Sequence, residues 1–439
     1  MPRPYWNETL ETLPAEQLRK LESAALQKQM AYVYATSPYY RKKFDSVGLK
    51  PADIQCQEDL AKLPFTEKTE LAQTQRDGEL IGPNQCASME DIIRIVGTGG
   101  TSGQPMRLAW TQNDVRGYNE MGARALWAMG CRPSDFVVNC FNYSIYAGGV
   151  TDHMAFETLG ATVLPYGVGN SRRLLDMKAD MKVAKALYST PSYAVRLATV
   201  AEDMGINLRD LNVKKGFFSG EAGMQVPGYR ERIENLWGME AHDLYGMAEL
   251  GVQSAECGHN TGLHFSGAGE VIAELINPDT EEVIPMEQGQ IGELVFTNIN
   301  REASPLVRMR THDYVEVYTD PCPCGRTGFR FHTRGRTDDM VVIKGVNIFP
   351  MAIQKTLLAM QPRLTGEFQM VLDKAPPIDY LPVLKIEVAS DQPASALPQL
   401  TEDVALQLYK QLGFSASIEF VKAGEIASEH KTKRVIRNY

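Results

Sequence analysis

Ile92-Ile-Arg-Ile-Val96, Gly97-Thr-Gly-Gly-Thr-Ser-Gly-Gln-Pro105 and Met106-Arg-Leu-Ala-Trp110 follow one another without a break. The first and last runs read as strands, so the glycine- and hydroxyl-rich segment joins strand to strand. Glycine lets a backbone approach an anion closely, and the hydroxyls of Thr98, Thr101 and Ser102 can donate to phosphate oxygens beside successive N–H groups. A Walker loop needs Gly-Lys-Ser/Thr before a helix, and a dinucleotide fingerprint also needs a following helix, so neither fits. The expectation is a strand-loop-strand phosphate grip; read in isolation, the same segment is a plain hairpin.

Outward from this loop, Pro14 to about Phe44 reads as helical, with Leu18, Leu21 and Ala25 at helical spacing. Residues 90 to 300 alternate short β-branched runs with helical stretches, as in Phe136-Val-Val, Met154 to Leu159 and Ala161-Thr-Val-Leu, which predicts an α/β sheet system. From Ile272 to Tyr318, short runs with tight turns predict antiparallel strands, and Thr337 to Tyr439 reads as a smaller α+β segment.

The chain has 439 residues, beyond the size at which one core keeps growing, which predicts at least two domains. Its net charge of -9 argues against coating nucleic acid or an anionic membrane. The N-terminus lacks the apolar core of a signal peptide, and no apolar run approaches the ~20 residues that span a bilayer, so the expected location is cytoplasmic. Seven cysteines scattered over the chain do not resemble a secreted disulfide framework; only Cys322-Pro-Cys324 is clustered.

Six further motifs follow the loop in order: Ser219-Gly-Glu-Ala222, Tyr245-Gly-Met-Ala-Glu249, Arg310-Thr-His-Asp313, Gly335-Arg-Thr-Asp-Asp-Met340, Lys344-Gly-Val-Asn-Ile-Phe-Pro350 and Ser428-Glu-His-Lys-Thr-Lys-Arg434. Together they resemble the adenylate-forming (acyl-CoA synthetase) superfamily, and within it the phenylacetate-CoA ligase branch. The resemblance implies a large N-terminal α/β adenylation domain over residues 1–336, with β-sheets and a β-rich subdomain. It also implies a small mobile α+β lid over 337–439, with Asp338 at the hinge.

By the same resemblance Thr98, Thr101, Ser102 and Gly103 hold the ATP phosphates, although Gln104 stands where relatives usually carry lysine. Ser219, Gly220, Glu221, Ala222, Tyr245, Gly246, Met247 and Ala248 complete the nucleotide site, Tyr245 and Gly246 forming the adenine wall. Asp313 takes the ribose hydroxyls, and Arg336 contacts ribose and phosphate. Glu249 holds Mg2+, apt because magnesium prefers hard oxygen ligands. Lys431 bridges the acid and the α-phosphate, a task suited to a compact ammonium; Lys433 is the neighbouring choice of register.

Phe141-Asn-Tyr-Ser-Ile-Tyr-Ala-Gly-Gly149 matches the family's acyl-site segment, which makes Tyr143, Tyr146, Gly148 and Gly149 the pocket candidates. Aromatic walls favour a flat apolar acid. Cys257, His264, Cys322 and Cys324 are assigned to a structural Zn2+, with His259 as the alternate, because four protein ligands leave no position open for water. The implied enzyme is an AMP-forming acid-thiol ligase that uses ATP, Mg2+ and coenzyme A on an aromatic carboxylic acid, as a monomer or a homodimer. An adenylating enzyme with an amine, carrier-protein thiol or cofactor hydroxyl as acceptor is one alternative, and a non-catalytic nucleotide sensor is the other.

Overall fold

The computed structural model describes residues 4–75, 80–98, 106–177, 182–344, 346–426 and 432–439. The chain divides into two compact units, each discontinuous in sequence: 1–135, 142–167 and 244–332 form one, and 136–141, 168–243 and 333–439 the other.

In the first unit the predicted N-terminal helix runs Ala15–Thr36 and stops where Ser37-Pro38 starts a second helix, Pro38–Ser46. Ser37 caps that helix by accepting from Tyr40 N, as a hydroxyl before a proline does at a helix start. The buried face carries Glu22, Leu26, Met30 and Val33, and Leu21 is 46% exposed. Of the helically spaced Leu18, Leu21 and Ala25, Leu18 and Ala25 are half-buried, Ala25 packing against this core, and only Leu21 is exposed. Glu22 can face the interior because its carboxylate accepts from Gly269 N at 3.0 Å and Gln57 Nε2 at 2.6 Å, which satisfies a group that burial alone would penalise.

The predicted antiparallel region is present: Val271–Ile276 pairs with Val283–Ile284 and with Ile291–Asn298, which pairs in turn with Met309–Tyr318. Asn277 closes the first turn by accepting from Asp279 N and Thr280 N through its side chain. The strand Ile92–Gly97 pairs antiparallel with Arg107–Thr111, Gly97 lying opposite Arg107. The strand-loop-strand frame predicted for the glycine-rich segment is therefore real.

In the second unit, Phe136–Asn139, Ala186–Ser189, Lys215–Phe218 and the first half of Glu240–Met247 pair in parallel. Buried runs such as Gly216-Phe-Phe218 fit a sheet covered on both faces. Thr190 caps the helix Pro191–Asp203, and Tyr229–Trp237 forms another helix. The C-terminal α+β segment carries a four-stranded sheet in the order Ser417–Val421, Val383–Val388, Leu364–Leu372, Val435–Arg437, with helices Pro350–Leu358 and Leu397–Leu412. Among the described residues no helix is long and apolar enough to cross a membrane.

Candidate active site

Thr98 is the last described residue before the loop: its N–H donates to Met106 O at 2.9 Å, and its hydroxyl is buried with no hydrogen-bond partner among the described residues. A buried unsatisfied donor is costly, and an incoming phosphate oxygen would satisfy it. Thr101, Ser102, Gly103 and Gln104 lie outside the described residues.

Gly97 N–H donates to Ile145 O at 2.6 Å, and Gly97 bridges Tyr146 in parallel. The segment assigned to the acid is thus bonded to the base of the segment assigned to the phosphates. Within it Tyr146 precedes the helix Ala147–Leu159 and is 38% exposed. Tyr143 OH lies 2.9 Å from His153 Nδ1, and His153 Nε2 lies 3.0 Å from Glu157. Gly148 is half-buried in the first helical turn. A Cβ on Gly149 would stand 2.2 Å from Asn142 O, so the chain reversal itself requires this glycine.

Two motifs 68 residues apart meet where Tyr245 OH donates to Asp313 Oδ2 at 2.6 Å. Asp313 follows a register shift in the ladder between Ile291–Asn298 and Met309–Tyr318, with His312 at φ 60°. Thr311 Oγ1 donates to Leu294 O and accepts from Asp313 N. Such a bulge turns a side chain out of the strand's alternation. Tyr245 packs edge-on to Phe331 at 5.3 Å. A Cβ on Gly246 would meet Gly251 O at 2.9 Å, so the strand pair approaches too closely there for a side chain. Residues 245–248 are all half-buried, a continuous ledge that includes Met247 and Ala248.

Glu249 closes that ledge at 2% exposure, with Lys68 Nζ 2.7 Å from its Oε1 and with Tyr118 OH and Arg301 Nη1 donating to its backbone oxygen. Lys68, which no motif singled out, is therefore a cation already standing at the carboxylate assigned to magnesium.

In the second unit, Ser219 N–H donates to Ser189 O, and Gly220 takes φ 85°. Ala222 opens a short 3-10 turn, Ala222–Gln225. Glu221 lies at the N-terminus of the helix Pro191–Asp203, accepting from Ser192 Oγ at 2.8 Å and Ser192 N at 3.3 Å. Thr432 N also donates to Glu221 Oε1 at 2.7 Å, and Thr432 Oγ1 lies 3.2 Å from Ser192 Oγ. Burial pushes the Glu221 carboxyl up, against the opposing charge of Arg434. Lys431 lies outside the described residues, but its neighbour Thr432 is fixed on the nucleotide motif. Gln225 accepts from Thr333 N at 2.6 Å, on the strand Arg330–Arg336, and donates to Asp243 Oδ2 at 2.7 Å. Arg336 grips Asp338 with two hydrogen bonds of 2.9 Å.

The metal assignment brings four remote residues together. Among the described residues Cys257, His264, Cys322 and Cys324 place one ligand atom each within 4.8 Å of the others. Cys257 Sγ to Cys322 Sγ is 3.7 Å, and Cys324 Sγ to His264 Nε2 is 3.6 Å. Tetrahedral zinc with Zn–S bonds of about 2.3 Å has ligand-ligand edges of about 3.8 Å, so the donor set fits. His259 is exposed and outside the group. Ladder pairing of Arg330 with His264 and of Ala255 with His264 carries the imidazole into place.

Residues 345–438 match the AMP-binding enzyme C-terminal domain family. The chain is 31% identical over 448 residues to a phenylacetate-coenzyme A ligase of Thermus thermophilus, covering 97% of this chain and 98% of that protein. Among solved structures it is similar to 2-hydroxyisobutyryl-CoA ligase in the postadenylation state with 2-HIB-AMP: TM-score 0.91, 31% identity, 99% of this chain and 93% of the other. The same ligase in the thioesterification state, with 2-HIB-AMP and CoA, gives a TM-score of 0.74 at 32% identity, with 99% and 93% covered.

Proposed function

Because the chain belongs to the phenylacetate-CoA ligase family, ATP-dependent enzymes that join an acid to coenzyme A through an acyl-adenylate, we propose that its own acid is aromatic, an arylacetate or aryl acid. The carboxylate oxygen attacks the α-phosphorus of ATP, the bond from that phosphorus to the β-phosphate bridge breaks, and pyrophosphate leaves. The thiol sulfur of coenzyme A then attacks the acyl carbon, its proton passes to solvent, and the bond from that carbon to the bridging oxygen breaks, so that AMP departs with that oxygen and the carbonyl oxygen stays in the thioester. The observation that supports the reading is the Gly97 to Ile145 hydrogen bond of 2.6 Å, which joins the segment proposed to take the acid to the base of the loop proposed to take the phosphates.

In this scheme Tyr245 and Asp313 take adenine and ribose, Arg336 reaches ribose and phosphate, and Thr98 with the loop after it grips the phosphates. Lys431 offsets the charge that builds between carboxylate and phosphorus. Residues 337–439 act as a lid that turns about Asp338 between the two steps, a normal way for one site to serve two half-reactions. Glu249 would hold Mg2+, which neutralises phosphate charge. Cys257, His264, Cys322 and Cys324 would hold a structural Zn2+. The work is done in the cytoplasm. A small branched hydroxy acid is the second reading, favoured by the polar pair that Tyr143 of the acid segment makes with His153 on the helix that follows.

The test is pyrophosphate exchange and acyl-CoA formation, read by mass, with phenylacetate, indoleacetate, benzoate and 2-hydroxyisobutyrate. Aromatic acids should support both reactions. AMP release without any thioester would overturn the coenzyme A step, and preference for 2-hydroxyisobutyrate would move the acid to the second reading. Lys431→Ala should lower acid-dependent exchange by about 10²- to 10³-fold while ATP still binds; a nucleotide sensor would have no exchange to lose.

A further inference from the structure

Within the second unit the C-terminal segment carries an ion pair, its carboxylate buried and its guanidinium half-buried, that the reaction scheme leaves without a task. Glu367, on the strand Leu364–Leu372, is fully buried, and Arg434 Nη1 lies 2.7 Å from its Oε2. Arg434 stands directly before the strand Val435–Arg437, three residues beyond Lys431, and its backbone oxygen accepts from Met370 N. The pair thus fixes, inside the C-terminal segment, the stretch that delivers the lysine.

The second oxygen of Glu367 is satisfied from outside that segment. Tyr229 OH, at the start of the helix Tyr229–Trp237, donates to Glu367 Oε1 at 2.5 Å, and Tyr229 is also fully buried. One turn on, Arg232 Nη1 donates to Thr365 O. Thr432 on Glu221 and on Ser192, and Thr333 on Gln225, also join residues of 333–439 to residues of 168–243. Burial pushes the Tyr229 hydroxyl well above its ordinary range, so it stays a donor.

We propose that Tyr229 is a positioning residue: its hydrogen bond to Glu367, which is already paired with Arg434, latches the C-terminal segment in the docking that presents Lys431 for adenylation and must break before the thioester step. This rests on the proposed lid motion. A hydrogen bond to a buried carboxylate is among the stronger neutral-donor bonds, and it exists only while the segment is docked. Glu367 lies on one of two paired strands and Arg434 directly before the other, so they travel together, and undocking breaks the phenol bond along with the Arg232 and Thr432 bonds while leaving the ion pair intact. A latch of this kind biases a two-state equilibrium by the energy of the contacts made in one state alone.

The experiment is Tyr229→Phe in the full chain, measured on each half-reaction separately. Acid-dependent ATP-pyrophosphate exchange with phenylacetate should fall about ten- to a hundredfold. Thioester formation from synthetic phenylacetyl-AMP and coenzyme A should hold or rise. Tyr40→Phe removes an equally buried phenol that accepts from Val307 N in the first unit, and it should leave the ratio of the two rates unchanged. Equal loss in both half-reactions, or no loss in exchange, overturns the latch. Hydrogen-deuterium exchange separates this from the substrate reading: Tyr229→Phe should speed amide exchange in 364–372 and 432–437 even if phenylacetate is not the acid. Unchanged protection there overturns the proposal whatever the wild-type protein does with phenylacetate.

Discussion

Two buried polar clusters, one in each unit, solve the problem of burial in opposite ways. The corner of Cys257, His264, Cys322 and Cys324 gathers three thiols and an imidazole with no cationic side chain in the group. The cluster around Glu367 brings its own counter-charge in Arg434 and its own donor in Tyr229. In the first, the hydrogen bond from Cys257 to Cys324 pushes the Cys257 thiol up and the Cys324 thiol down. In the second, burial works to raise the Glu367 carboxyl, and Arg434 and Tyr229 more than offset it, leaving it below its ordinary value. The first cluster would be completed by the proposed Zn2+, whereas the second carries its partners within the chain.

Metal removal is the sharpest way to break that contrast. Structural zinc gives isolated small domains roughly 10–16 kcal/mol of apparent binding energy, and only part of that applies here because ladder pairing also holds His264. Purified protein should carry one zinc per chain. Cys322→Ser should lose it and lower Tm by about 5–10 °C, measured calorimetrically. Purified protein free of zinc and indifferent to chelator would place the corner with ordinary buried thiols.

The second cluster should break differently. Glu367→Ala leaves the Arg434 charge without its carboxylate, though still bonded to Phe368 O, and the buried Tyr229 hydroxyl without its acceptor, which costs about 3–5 kcal/mol by chemical denaturation. Replacing both charges at once, Glu367→Leu with Arg434→Met, should recover most of that stability, because well-packed apolar groups can substitute for a buried ion pair. Chelator should not alter either result. A double variant as unstable as the single one would show that the strand pair, and not the unpaired charge, carries the loss.

Legibility in the sequence followed the range of the interactions. The hairpin at 92–111 and the antiparallel run to Tyr318 are set by β-branched runs and turn residues within a few positions of each other, and both are present. The cysteine cluster could be singled out because Cys-Pro-Cys is a local pattern, and strand register brings His264, not His259, beside it. The N-terminal helix could be read but not its inward face, because Glu22 is buried through partners at Gln57 and Gly269 that no helical period reveals. Lys68, Gln225, Tyr229 and Glu367 gave no signal, and Thr432 was visible only as part of the basic motif. Each acts through partners remote in the chain, and a lone Lys, Gln or Tyr has no spacing to betray it.

A third kind of buried polar group, neutral and nearly partnerless, gives the smallest predicted effect. His242, on the strand Glu240–Met247, stacks on Phe217 at 5.9 Å, and its Nδ1 is buried without a hydrogen-bond partner among the described residues. Burial, helped by the charges of Arg230 and Lys215, lowers it from 6.5 to about 4. Below pH 6.5 the unfolded chain therefore takes a proton that the folded chain refuses until about pH 4. Stability from this group is whole above pH 6.5 and falls as the pH drops through that window. At pH 5 the loss is about 2 kcal/mol. Glu221, whose carboxyl burial raises, acts in the opposite sense in acid because the folded chain takes up its proton first. The difference between wild type and His242→Gln isolates the histidine: urea denaturation at pH 7.5 and 5 should show the wild type losing more stability than the variant. Equal losses would mean that His242 is protonated in the folded chain, with Glu240, 4.0 Å from its Nε2, as the carboxylate that accepts it there.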